Sequence, residues 1–287
     1  CIELALLDAL LRAEHRSMDD VVGWQGDPTM GSPGSSRLCR FSMVLASNSA
    51  ESIAKTAMLA KWVGFRHFKL KVGMPDDAAR MKALLRVIGR LLSKRKATLR
   101  LDANGAWSLE EAATALHRWR DIPLSGVEQP LHPSNDKDLV ELKSRCSVPI
   151  FHDESLSSMD DAQRLVGLGV ADGFNIRISK CGGLLSSVKL ASYALKRNIE
   201  VQLGCMVGET SILSAAGVRF LQTVPKVRFA EGSFGSLLSA CDVVQKRVRF
   251  GWGGRLPKLD ESGLGVTVVE ELLKKHTKGK PIAVELG

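Results

Sequence analysis

The chain has no apolar run of the roughly 18 to 20 residues that a membrane-spanning helix needs. No signal peptide is expected in the opening CIELALLDALLRAEHR, which carries the charge of an amphipathic helix. The six cysteines, Cys1, Cys39, Cys146, Cys181, Cys205 and Cys241, form no CxxC and show no zinc-ligand spacing. The expectation is therefore a cytoplasmic protein with reduced, buried thiols and no membrane partner. Aromatics amount to 5% of the sequence, and few stand beside basic residues. The net charge of +9 falls instead on helix faces such as LLRVIGRLLSKRK and on VVQKRVRF. Solvated faces explain it better than a nucleic-acid surface, and positive potential would draw in small anionic substrates. The first residue is Cys1 rather than Met, so a natural start upstream is expected.

What is present is ordinary globular material, 45% hydrophobic and 25% charged, enough for a large core. It is arranged as a repeat. FSMVLA, HFKLKV, ATLRLDA, GVEQP, VPIFHDE, GFNIRIS, EVQLGC and VRFAEG read as eight strands, with an amphipathic helical stretch in each of the seven intervals. Strands alternating with helices give a parallel sheet, and eight of them suit a closed barrel. Ser49, Ser108 and Ser158 precede acidic first turns and read as helix N-caps. The Gly-, Pro- and Ser-rich stretch from Gly23 to Arg40 reads as a linker. The expected organisation is an opening helix and linker over 1–40, a barrel over 41–250, and a segment over 251–287 that packs on it.

Barrel chemistry gathers at the C-terminal ends of strands, and polar residues interrupt the apolar strands at those ends. Lys69 and Lys71 end the second strand, Asp102 and Asn104 the third, Glu128 the fourth, Asp153 and Glu154 the fifth, Asn175 and Arg177 the sixth. Asp102, Glu128 and Asp153 are separated by 26 and 25 residues, one strand-plus-helix unit each, so three neighbouring strands would offer carboxylates at one height. Hard oxygen ligands without soft ones suit Mg²⁺ or Mn²⁺. Lys69 and Lys71 are two apart and share a face. Side by side, two ammonium groups lower the pKa of one or both, which would prepare a general base.

The ordered motifs FKLKVG, LRLDANGAWS, GVEQPL, FHDESL, NIRISKCGG and QLGCMVGE resemble the enolase superfamily, in its muconate-lactonizing-enzyme-like (mandelate racemase/muconate lactonizing enzyme) subgroup. The resemblance implies a modified (β/α)7β barrel with Asp102, Glu128 and Asp153 as Mg²⁺ ligands. Lys71 would be the base that takes an α-proton from a carboxylate substrate, giving a metal-stabilised enediolate. Lys69 would be its pKa-lowering neighbour, and Glu154 would support the third ligand. Asn104, Asn175 and, less closely matched, Glu209 are expected to support the ligands or to line the substrate. Relatives also carry an N-terminal capping domain, which is expected to be absent from this chain.

Two departures shape the functional expectation. Arg177 stands where relatives have a second lysine, and an arginine is a poor base. Lys180, three residues on, is not expected to share its direction. This favours one-base chemistry: a cycloisomerase, a dehydratase or an o-succinylbenzoate-synthase-like reaction. The alternatives are an amino-acid or dipeptide racemase or epimerase, or a catalytically inactive relative. An Asp-x-Asp pair typical of dipeptide epimerases is missing from FAEGSFG. A small carboxylate is the expected partner, with homo-oligomerisation left open.

Overall fold

The computed structural model describes residues 2–21, 39–232, 235, 241–259 and 262–276. Eight strands, β1 (Met43–Leu45), β2 (His67–Lys71), β3 (Thr98–Asp102), β4 (Leu124–Glu128), β5 (Ile150–His152), β6 (Gly173–Ile176), β7 (Glu200–Leu203) and β8 (Val227–Ala230), pair in parallel in sequence order. A bridge between Phe41 and Ala230, with Ser42 N donating to Ala230 O at 2.7 Å, brings the two outer strands together. The result is a (β/α)7β barrel of the TIM type. The linker expected from Gly23 to Arg40 lies almost entirely outside the described residues.

Seven helices fill the intervals: α2 (Ala50–Trp62), α3 (Asp77–Ser93), α4 (Leu109–Arg118), α5 (Leu139–Arg145), α6 (Met159–Gly167), α7 (Leu184–Leu195) and α8 (Ser211–Thr223). The expected caps are in place. Ser49 Oγ accepts from Ser52 N, while Ser108 with Glu111 and Ser158 with Asp161 form reciprocal capping boxes. The opening helix α1 (Ile2–Ala13) packs on the barrel through charged groups. Glu3 accepts from the first amides of α7, Leu184 N at 2.5 Å and Leu185 N at 3.0 Å, and Asp8 accepts from Leu264 N at 2.6 Å. In the tail, EELLKKH forms α9 (Glu270–His276), and Gly253 and Gly254 hydrogen-bond Val63 O and Phe41 N.

Residues of one parity on each strand point into the barrel, and its lower layer is aromatic. Phe151 and Phe229 meet at 5.8 Å between ring centroids, and His67 meets Phe229 at 6.1 Å. Two glycines make that layer. A Cβ on Gly173 would lie 2.4 Å from the Phe151 ring, and one on Gly126 would lie 2.7 Å from it. Above the rings the interior turns polar.

Candidate active site

The middle layer is a sealed ionic network. Arg100, two residues before Asp102 on β3, lies over the Phe229 ring at 4.2 Å. It donates to Gln202 Oε1, to Ser42 Oγ at 2.8 Å and to Glu231 Oε1 at 3.1 Å. Lys69 Nζ donates to Glu128 Oε1 at 3.0 Å and also pairs with Asp102 Oδ2 at 3.2 Å and Glu231 Oε2 at 2.7 Å. Glu128 is further fixed by Asn175 Nδ2 at 2.8 Å and Gln202 Nε2 at 2.7 Å.

The upper layer opens to the barrel mouth. Lys71 Nζ donates to Asn104 Oδ1 at 2.7 Å and stands 3.8 Å from Asp102 Oδ2. Asn104 adopts a left-handed backbone, φ 48°, with its amide donating back to Asp102 Oδ1 at 3.1 Å. Its side chain donates to Glu154 Oε1 at 3.3 Å. Asp153 faces two cations. Arg177 donates to it in a fork, Nε to Oδ1 at 2.7 Å and Nη2 to Oδ2, and Lys180 Nζ donates to Oδ1 at 2.6 Å. Beneath Asp153, Gln129 Oε1 accepts from the amides of Asp153 and Ser155 at 3.0 and 3.1 Å, which sets the turn that carries the carboxylate.

The electrostatics divide the two layers. Burial disfavours the ammonium of Lys69, but Glu128, Glu231 and Asp102 outweigh it and hold its pKa well above the ordinary lysine value. Burial and the neighbouring Glu128 charge push the Asp102 carboxyl up. At Glu128 burial is outweighed by Lys69 and Arg100, and its carboxyl is pulled down. Arg177 is half-buried, which disfavours its charge, yet Asp153 and Glu154 strengthen its hold on it.

Several expectations change in this setting. Lys69, expected as the pKa-lowering neighbour of Lys71, is itself surrounded by three carboxylates that hold its charge. Asp102 pairs in register with Glu128 and Glu128 with Phe151, so Asp153 lies two residues past the paired position, on the turn that follows β5. Lys180 does share a target with Arg177. The chain leaves β6 in a tight turn, with Lys180 N and Cys181 N both donating to Arg177 O, and the turn brings the lysine back to Asp153. Glu209 turns on its own loop, accepting from Met206 N at 2.6 Å. Glu154 accepts from both Asn104 and Arg177. Trp107 packs beside Trp119, and His152 is fully buried against Val170 O, as packing residues do. Sequence reasoning missed Arg100, Gln202, Glu231 and Gln129. The inward parity of the first two was the available signal.

Asp102, Glu128 and Asp153 are all buried to within 2% exposure. They offer only hard oxygen donors, and burial followed by the Glu128 charge pushes the Asp102 carboxyl up. That donor set fits a divalent Mg²⁺ or Mn²⁺ ion. Among the described residues, no three His, Cys, Asp or Glu side chains stand together at ligand spacing. Asp153 is turned to Arg177 and Lys180 instead.

Comparison with known proteins adds an independent finding. The sequence model of the family described as enolase C-terminal domain-like matches residues 52–272. Muconate cycloisomerase 1-2 of Acinetobacter lwoffii is 30% identical over 227 residues, 76% of this chain and 57% of that protein. The chain spans about half the length of the curated relatives it matches. The solved N-succinyl Arg/Lys racemase from Bacillus cereus superposes with a TM-score of 0.82 at 26% identity, over 96% of this chain and 70% of that one. A dipeptide epimerase from Cytophaga hutchinsonii, solved with Mg and the dipeptide D-Ala-L-Val, shares the fold at a TM-score of 0.82 and 22% identity, over 95% of this chain and 70% of that one.

Proposed function

The chain belongs to the enolase C-terminal domain-like family, and from that premise we propose that it is the catalytic barrel, over 41–250, of an enzyme that uses Lys71 to take the α-proton of a small carboxylate. The observation that carries this reading is the contrast between two lysines of one strand. The Lys69 side chain is 4% exposed and locked among three carboxylates, a fixed cation. The Lys71 side chain is 29% exposed, faces the mouth, and is held by a neutral amide. The first has no room to exchange a proton with a substrate, and the second has.

Asp102, Glu128 and Asp153 would hold Mg²⁺ or Mn²⁺. Such an ion, when bound, supplies positive charge against the substrate carboxylate as electron density moves onto it. The chain's own groups do the rest. Asn175, Gln202 and Lys69 fix Glu128, Gln129 fixes the turn bearing Asp153, and Asn104 aims Lys71. Arg177 keeps its charge and hydrogen-bonds anionic oxygens rather than taking protons. One base on one face suits cycloisomerisation, dehydration or an o-succinylbenzoate-synthase-like elimination.

A second reading, racemisation or epimerisation, has equal support from the relatives and one specific observation. Lys180 Nζ reaches Asp153 from the β6 side and offers a second amine across the site from β2. Incubation with Mg²⁺ and a library of chiral carboxylates in D₂O tests both. Deuterium at the α-carbon from one enantiomer supports one-base chemistry. Exchange from both, with one hand lost in Lys180→Ala, supports racemisation. Undiminished exchange in Lys71→Ala would overturn the assignment of the base.

A further inference from the structure

Asp102 and Glu128 share the ammonium of Lys69, whereas Asp153 is closed from the opposite side. Both of its carboxylate oxygens receive donors that carry positive charge. Arg177 forks onto Oδ1 and Oδ2, and Lys180 adds a bond to Oδ1 and another to the main-chain oxygen. A divalent ion coordinated by Asp153 needs the lone pairs that these donors use. The fork has a built seat. A Cβ on Gly204 would lie 2.9 Å from Arg177 Cγ and 2.3 Å from Asn175 Oδ1, so the bare glycine on the neighbouring chain segment leaves room for the arginine stem. The seat also has an exit. Arg177 Nη2 already donates to Glu154 Oε1 at 3.2 Å, its Nη1 touches Met206 Sδ at 3.0 Å, and Glu154 and Met206 both reach solvent at the mouth.

We propose that Arg177, backed by Lys180, is an internal counter-cation of Asp153 that a divalent ion displaces, and that the displaced guanidinium moves to Glu154 at the barrel mouth. The inference rests on the metal reading above. It makes metal binding and the Arg177–Asp153 fork mutually exclusive. Metal affinity is then weaker than the three carboxylates alone would give, and the guanidinium becomes available to an anionic substrate group only in the metal-loaded protein.

Calorimetric titration with Mn²⁺ of the wild type, Arg177→Met and Lys180→Met tests this without any substrate. Arg177→Met is expected to bind Mn²⁺ at least about tenfold tighter than the wild type, and Lys180→Met tighter by a smaller factor, because each removes a cation in contact with a ligand. In the wild type, the Arg177 Nε–H resonance, assigned by its loss in the variant, is expected to be protected without metal and to shift on adding Mg²⁺. Where Arg177→Met does not fold, Arg177→Lys keeps the charge, loses the fork, and carries the same expectation at a smaller factor. Measurable Mn²⁺ binding by the wild type with equal or weaker binding by the Arg177 variant overturns the displacement, as does an Nε–H resonance that Mg²⁺ leaves unmoved. An absence of Mn²⁺ binding in every form overturns the metal reading itself, and this inference with it.

Discussion

At the lower end of the barrel Phe151, Phe229 and His67 fill the interior with ring contacts, while one step higher the same strands present Asp153, Glu231 and Lys69. The lower layer removes apolar surface from water and stabilises the fold. The upper layers take ions out of water, which costs several kcal/mol per ion before their mutual attraction repays it. A barrel needs only the first kind of layer to fold. Under the proposed function the second kind serves chemistry at the mouth, and it is itself divided. The middle network is buried and densely paired and acts as a foundation, whereas Lys71, Asp153 and Arg177 above it keep contacts that can be exchanged.

Substitutions that treat the layers differently sharpen that comparison. The largest effect is expected at Lys71. Lys71→Ala should cut α-proton exchange by about 10² to 10⁴-fold, while its urea midpoint stays close to that of the wild type, because the side chain is partly exposed, bonds one neutral amide and stands 3.8 Å from its carboxylate neighbour, Asp102. Lys69→Met should reverse the pattern of a simple catalytic loss. It strands Glu128, Asp102 and Glu231 without their shared cation, and about 3 to 5 kcal/mol of stability should disappear in urea unfolding. A Lys69→Met protein as stable as the wild type would break the idea of a foundation layer.

The lower layer carries its own pH signature. Burial, then Arg100 and Arg40, push the His67 pKa down to about 4 from its ordinary 6.5. Below pH 6.5 the unfolded chain takes up a proton that the folded chain refuses. Stability from this group is therefore complete above about pH 6.5, falls as the pH drops toward about 4, and levels off below, for a total of about 3 kcal/mol. His67→Gln should flatten that part of the stability curve, and an unchanged slope would show that other groups produce it. The smallest effect is expected from Gly173→Ala. Its new methyl meets the Phe151 ring, and about 1 to 3 kcal/mol of stability should be lost as the ring shifts.

The strand ends were legible in the sequence because polar residues there break short apolar runs, and the period of two gives their direction. Hence Lys69, Lys71, Asp102, Glu128 and Asp153 can be read from the sequence as polar residues at strand ends. The network beneath them was not. A buried arginine such as Arg100 looks like a surface one until its strand is known to face a closed interior. Glu231 carries no local signal, because its partner Lys69 lies far away in sequence on β2. The charge state of Lys69 depended on residues from β3, β4 and the end of β8, which no local window contains. The period-two rule misplaces Lys180, because β6 has already ended at Ile176.

The central claim is that the upper layer of this barrel is a metal-dependent proton-abstraction site. Deuterium incorporation at the α-carbon of small carboxylates, followed by NMR with Mg²⁺ and with chelator, tests it most directly in the wild type and in Asp153→Asn. The account predicts exchange that requires the metal and is lost in Asp153→Asn while the fold persists. Exchange that proceeds equally with chelator, or equally well in Asp153→Asn, would contradict it.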